Sequence, residues 1–215
     1  MDRSSSRYIA CGAARIRRCI NSCICSIRFL KVISASGEVT ISLLAGKSKV
    51  APISPLTIPR LELSAALLLV RLISFVKRSL AITTVPCICW SDSTIVLTWL
   101  RSHPSRWKLF VANRVNAIQA LLPDAVWRHM PTLDNSADCA SRGLCGDELL
   151  THALWWQGPP WLRFSKEEWP EEPAPHCADA PVEEKVTVLR VGASHSLGSC
   201  VAIFKLVDIV KTTVN

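Results

Sequence analysis

Apolar residues fall along this chain in short blocks of two different periods. Glu38 to Leu44 alternates after the turn-forming Ser36-Gly37 and predicts a strand. The Pro-bracketed loop Ala51 to Pro59 separates it from a long stretch of helical period. At about 100° per residue, Arg60, Ser64, Arg71, Ser74 and Arg78 share one polar face of that helix, while Leu67, Leu68, Leu72, Phe75 and Val76 lie mainly elsewhere. Such a helix is expected to pack against a sheet. Val85 to Trp90 is a short apolar run, readable as a buried strand, that ends abruptly at Ser91-Asp92 before the helical pattern of Thr94 to Leu100. A further helix is predicted over Arg106 to Leu121 and a strand over Ala125 to Met130, followed by the turn-rich Pro131 to Ala137 and a final short helix. Strands alternating with helices in this order predict an α/β sheet flanked by helices.

All eight tryptophans lie between Trp90 and Trp169, which places the packed body in the middle of the chain. Residues 166–185 are rich in Pro and Glu, cannot continue a helix or strand, and read as a linker, so a boundary is expected near residue 165. Residues 186–215 are apolar again, with a candidate strand at Val186 to Val191 and a short helix around Ala202 to Lys211, but have too little to bury alone. The most apolar window, Leu61 to Val76, carries Glu62 and Arg71 and falls short of the roughly 18 apolar residues a membrane span needs. It is expected to be a core helix, with no membrane involved.

Composition refines this picture in two places. With 49% hydrophobic and 20% charged residues, the 215-residue chain has enough apolar content for one domain with flanking segments. The net charge of +8 is uneven, because residues 1–60 hold ten Lys or Arg against only Asp2 and Glu38. A basic arm beside a neutral body suggests attraction to a polyanion such as nucleic acid; a solvated basic tail explains the same charges. Ten cysteines without a secretory signal fit a reduced, intracellular setting, cytoplasmic or nuclear, and they form no paired C-x-x-C with matching His. Ala45-Gly-Lys-Ser48 resembles the end of a phosphate-binding loop, yet Ile41 stands where that motif needs Gly. No G-x-S-x-G accompanies Ser194 and His195.

Three carboxylates stand out. Glu62 lies about 160° around its helix from Ser64, which turns it toward the apolar side, where an ionised carboxylate needs a partner or a cation. It could equally bend back to the helix dipole or to Arg60. Asp92 sits beyond the carboxyl end of a buried strand, where α/β proteins expose reactive side chains, and is also a good helix cap. Asp138 opens the last helix, which either it or Asn135 could cap. Acidic residues at three successive element boundaries of one sheet suit a hard cation such as Mg²⁺, which requires oxygen ligands gathered from separate elements.

An ordered series of motifs resembles the ribonuclease H region of Bel/Pao-type retrotransposon polyproteins. The series is Lys47-Ser-Lys-Val-Ala-Pro52, Ile58-Pro-Arg-Leu-Glu-Leu63, Trp90-Ser-Asp-Ser-Thr-Ile-Val-Leu97 with Trp99, and Arg106-Trp-Lys-Leu-Phe-Val-Ala-Asn-Arg114. It continues with His129-Met-Pro131, Asn135-Ser-Ala-Asp-Cys-Ala-Ser-Arg-Gly143 and Trp155-Trp-Gln-Gly-Pro-Pro-Trp-Leu162. The resemblance covers about residues 37–165. It implies a ribonuclease H-like mixed sheet and a two-metal site of four carboxylates, in the order Asp, Glu, Asp, Asp, that hydrolyses RNA paired with DNA using Mg²⁺ or Mn²⁺. By motif, Glu62 is the second ligand, Asp92 the third and Asp138 the fourth. Arg60, Ser93, Asn135 and Arg142, in the same motifs, are the candidate substrate-binding residues, and His129 either positions substrate or packs the strand. A reverse transcriptase and an integrase of the same element are the implied neighbours.

The first carboxylate is missing. No aspartate occurs between Asp2 and Asp92, and aligning Cys19-Ile-Asn-Ser-Cys-Ile with the family's turn puts Ala14 where the Asp belongs. Cys11 to Arg28 has the Arg/Cys-rich texture of an out-of-frame or decayed segment. The expected organisation is therefore a basic, degenerate segment at 1–36 with incomplete N-terminal strands, a ribonuclease H-like domain at 37–165, a linker at 166–185, and a truncated connection toward integrase at 186–215. The expected function is that of a polyprotein fragment whose nuclease is impaired. The alternative is a non-catalytic nucleic-acid-binding fragment or a pseudogene product.

Overall fold

A computed structural model describes residues 7–15, 23–52, 54, 56–82, 84–142, 146–173 and 183–185, with side chains described from residue 24 onward except at 140–146. The chain divides into two units, Met1–Lys185 and Val186–Asn215. The second lies outside the described residues, and with it the strand and helix expected there and Ser194 and His195.

The first unit is a five-stranded mixed sheet of strand order β3-β2-β1-β4-β5, formed by β1 (Arg7–Arg15), β2 (Cys23–Ile33), β3 (Val39–Val50), β4 (Cys87–Ser91) and β5 (Val126–His129). β1, β2 and β3 pair antiparallel, while β4 runs parallel to both β1 and β5. Helices α1 (Ile58–Ser79), α2 (Thr94–Arg101), α3 (Leu109–Leu121), α4 (Ser136–Arg142), α5 (Gly146–Thr151) and α6 (Ala153–Gln157) complete the fold. The expected α/β class, a mixed sheet flanked by helices, is the class observed.

Period-two patterning explains the cores on the two faces of the sheet. On β2, Cys25, Ile27 and Phe29 face one way, joining Ile88 and Trp90 of β4 with Met130, Ala137, Leu162 and Trp169. On the other side Ile24, Cys87 and Cys89 pack under Leu61, Ala65, Leu68, Leu69 and Ile73 of α1. β4 is buried at all five positions because both of its faces are covered, which is why it reads as a continuous apolar run. The α1 side of β2 also carries Ser26 and Arg28. Ser26 donates to the Ala65 carbonyl at 3.0 Å and Arg28 to the Ile73 carbonyl at 2.9 Å, so buried polar groups tie the helix to the sheet. On α1 the leucine stripe behaves as expected except at Phe75, which is 59% exposed.

The N-terminal strands, expected to be incomplete, are present as backbone. β1 pairs with β2 from Arg7↔Val32 to Arg15↔Ile24, and the boundary expected at 36/37 falls between β2 and β3, inside the sheet. Of the basic residues expected in an arm, Arg28 and Lys31 are instead buried in a central strand. The 166–185 stretch also lies against the body where it is described. Trp169 is buried against Trp90, with ring centroids 5.3 Å apart, and Glu183 is buried beside Arg60. The loop-like Ala45-Gly-Lys-Ser48 lies within extended β3, where Lys47 and Lys49 are exposed on an edge strand.

Candidate active site at the end of the parallel strands

β4 delivers Asp92 past its carboxyl end. The strand stops at Ser91, whose hydroxyl accepts the Ser93 N–H at 3.2 Å, and Ser93 in turn caps α2 by accepting the Val96 N–H at 3.3 Å. The cap that the sequence offered to Asp92 is thus taken by Ser93, because serine sits one residue closer to the first helical turn. This leaves the Asp92 carboxylate, half-buried, for other work. The Ser93 hydroxyl, a candidate substrate contact, is itself the capping group.

β5 and α4 supply the other side. Ser91 pairs with His129, and the Met130 N–H donates to the Ser91 carbonyl at 3.1 Å, which brings the Pro131 turn and α4 against the end of β4. Asn135, just before α4, is 1% exposed and accepts the Ala137 N–H through Oδ1 at 3.2 Å. Asn135 is therefore the cap of the two candidates, and Asp138 lies buried in the first turn of α4. The carboxyl of Asp92 is pushed above the usual range first by burial and then by the negative charge of Asp138. A hydrogen bond from its own backbone, one from the Asn135 side chain and the nearby His129 pull the other way. The Asn135 amide thus joins α4 to Asp92, a role hidden from sequence because a cap shows no second partner.

Of the sequence-derived ligands, Asp92 and Asp138 come together. Glu62 is half-buried on α1 between buried Leu61 and Leu63, in the second turn, because the helix already begins at Ile58 with Pro59 inside its first turn. Among the described residues, no group of three or more His, Cys, Asp or Glu is placed to hold a metal ion. The Asp92–Asp138 pair suits one side of a hard-cation site, since a divalent ion would relieve the repulsion that raises Asp92. On β1, Ala13 pairs with Ser91, so Ala14 follows that pair as Asp92 does on the neighbouring strand. Arg60 is held by Glu183 at 2.8 and 3.0 Å. Arg142 ends α4, and its side chain lies outside the described residues.

The buried thiols Cys87 and Cys89 are pushed up by burial and lie on the α1 side of the sheet. No described helix is long and apolar enough to cross a membrane.

The five-stranded mixed sheet flanked by helices is a ribonuclease H-like fold. Residues 21–93 match the family described as Pao retrotransposon-like RNaseH-like domain, so the resemblance read from the motifs holds over that segment. The match includes Glu62 and Asp92, and leaves β1 and Asp138 outside. No curated protein matches. Among solved structures, RNase H1 from the halophilic archaeon Halobacterium salinarum NRC-1 is similar at 13% identity and TM-score 0.40, over 66% of this chain and 97% of that one. LC11-RNase H1, isolated from compost and solved with an RNA/DNA hybrid, has 13% identity and TM-score 0.44, over 62% and 91%. The PFV RNase H domain has 12% identity and TM-score 0.40, over 64% and 90%.

Proposed function

We propose that this chain is a fragment of a retrotransposon Pol polyprotein whose ribonuclease H-like domain binds RNA–DNA hybrid or related nucleic acid and hydrolyses it poorly or not at all. One observation carries the reading. The register Ala13↔Ser91 sets Ala14, which has no ligand atom, beside the position of Asp92. Asp92 and Asp138 would remain to hold Mg²⁺ or Mn²⁺, which would polarise the attacking water. The work of the chain itself would be to hold Asp92 through Asn135 and to lead the nucleic-acid strand past Arg60 and Arg142. The reverse transcriptase and integrase of the same element would be its partners, with the chain from residue 186 as the connection toward the integrase. A catalytically silent module that only binds nucleic acid is the limiting case.

The test uses purified full chain, a labelled RNA–DNA hybrid and Mg²⁺ or Mn²⁺. The wild type is expected to leave the hybrid intact, and Ala14→Asp to raise cleavage at least about tenfold, since a single transition-state-stabilising group is commonly worth 10² or more. Clear wild-type cleavage that Asp92→Asn abolishes would overturn the impaired reading.

A further inference from the structure

A cluster of arginines at the start of α1 and α3 carries an acidic segment from far along the chain. The Arg60 guanidinium grips the Glu183 carboxylate with two bonds, at 2.8 and 3.0 Å, and Glu183 is buried at 6% exposure. Arg106 holds Glu184 at 2.5 Å in a more open pair. Backbone bonds seat the same segment: Lys108 N–H donates to the Glu183 carbonyl at 2.7 Å, Lys185 N–H to the Arg106 carbonyl at 2.9 Å, and Glu184 bridges Trp107 in antiparallel fashion. The Phe110 ring takes the Arg60 guanidinium at 4.9 Å and that of Arg114 at 3.4 Å. Arg114 is held below the usual arginine range by burial and then by the positive Arg60 and Arg71.

Two guanidinium groups on the Phe110 ring and a third beside them on Trp107, met by the carboxylates of Glu183 and Glu184, form an anion-receiving face whose occupant is part of the chain. A guanidinium donates to phosphate oxygens in the same two-pronged geometry as to a carboxylate, and an aromatic ring flanked by guanidiniums suits a nucleotide strand. We propose that the face formed by Arg60, Arg106, Phe110 and Arg114 contacts the sugar–phosphate backbone of a nucleic-acid strand. Glu183 and Glu184 occupy it as stand-ins for two phosphates, and they must lift before the strand can bind. This rests on the nucleic-acid reading above and adds a mask to it. The outer Arg106–Glu184 pair is solvent-exposed and screened by salt, so the buried Arg60–Glu183 pair sets the strength of the mask.

The full chain is compared with Glu183→Gln/Glu184→Gln and with a charge-matched control, Glu38→Gln/Glu171→Gln, whose carboxylates are exposed. Binding to a fluorescent RNA–DNA hybrid and to heparin is followed across a salt series. The unmasked variant is expected to bind both polyanions about tenfold more tightly than the control. Its plot of log K against log salt should also steepen by about 1 to 2, one unit for each phosphate gained. A gain on heparin alone supports the mask and overturns the nucleic-acid reading. Equal, tight hybrid binding by all three proteins overturns the mask and keeps that reading, and no gain on either polyanion overturns the mask. Hydrogen exchange on the wild type gives a second measure free of any folding defect in a variant. Hybrid binding should speed exchange at Lys108 and Lys185, whose N–H groups the seated segment protects, and unchanged or slower exchange there overturns the mask.

Discussion

Asp92 is the residue on which the site turns, and its environment makes a thermal prediction. Its carboxyl titrates higher in the folded chain than in the unfolded one, because burial and then Asp138 oppose its charge. Between the two values the folded state holds a proton that the unfolded state has released, so stability falls as pH rises through that window and stays lower above it. Asp92→Asn cannot ionise and can still accept the hydrogen bond from Asn135. Without divalent ions it is expected to be more stable than wild type at pH 7 by roughly 1 kcal/mol, or about 2–4 °C in a domain of this size. The difference should fade as pH drops toward about 4, where an unfolded carboxyl takes its proton. Thermal melts of both proteins from pH 4 to 8 check this, and a variant less stable than wild type at every pH would contradict it.

At the scale of elements, what could be read from sequence depended on whether a segment advertised its own burial. β4, α2, α3 and β5 were legible to within a few residues because apolar period and breakers such as Ser91-Asp92 coincide with their ends. β2 was not, because Arg28 interrupts its apolar run, and only the α1 carbonyls that receive Arg28 explain how an arginine can sit there. The Pro- and Glu-rich stretch misled in the opposite sense. Its composition is that of a linker, yet Trp169 folds back against Trp90 and Trp161, with Lys31 and Arg128 at 5.6 and 5.5 Å from its ring centroid. A chain cut at the boundary near 165 would uncover Trp90 and the rest of that core. Trp169→Ala is accordingly expected to cost about 3 kcal/mol, a fall in Tm of roughly 6–12 °C. Calorimetry on the full chain checks it, and a change within 1 °C would return the segment to the status of a linker.

For the molecule as a whole, the question is what the first 36 residues are for. They carry much of the positive charge, and as an appended arm they could be removed without harm to the body. The sheet order argues otherwise: among the described strands β1 lies between β2 and β4 and joins the antiparallel half to the parallel half. Without it β4 loses one of its two partners, and without β2 the α1 face loses Ile24, Ser26 and Arg28, while the opposite core loses Cys25, Ile27 and Phe29. The carboxylate site depends on the same strand, since the position that follows the Ala13–Ser91 pair exists only when β1 is docked. A chain starting at residue 37 is therefore expected to show no cooperative thermal transition and to bind a hydrophobic dye, whereas the full chain melts in one transition. A cooperative melt of the shortened chain within a few degrees of the full one would mean that the sheet can close without β1. In that case Ala14 could no longer account for a silent active site.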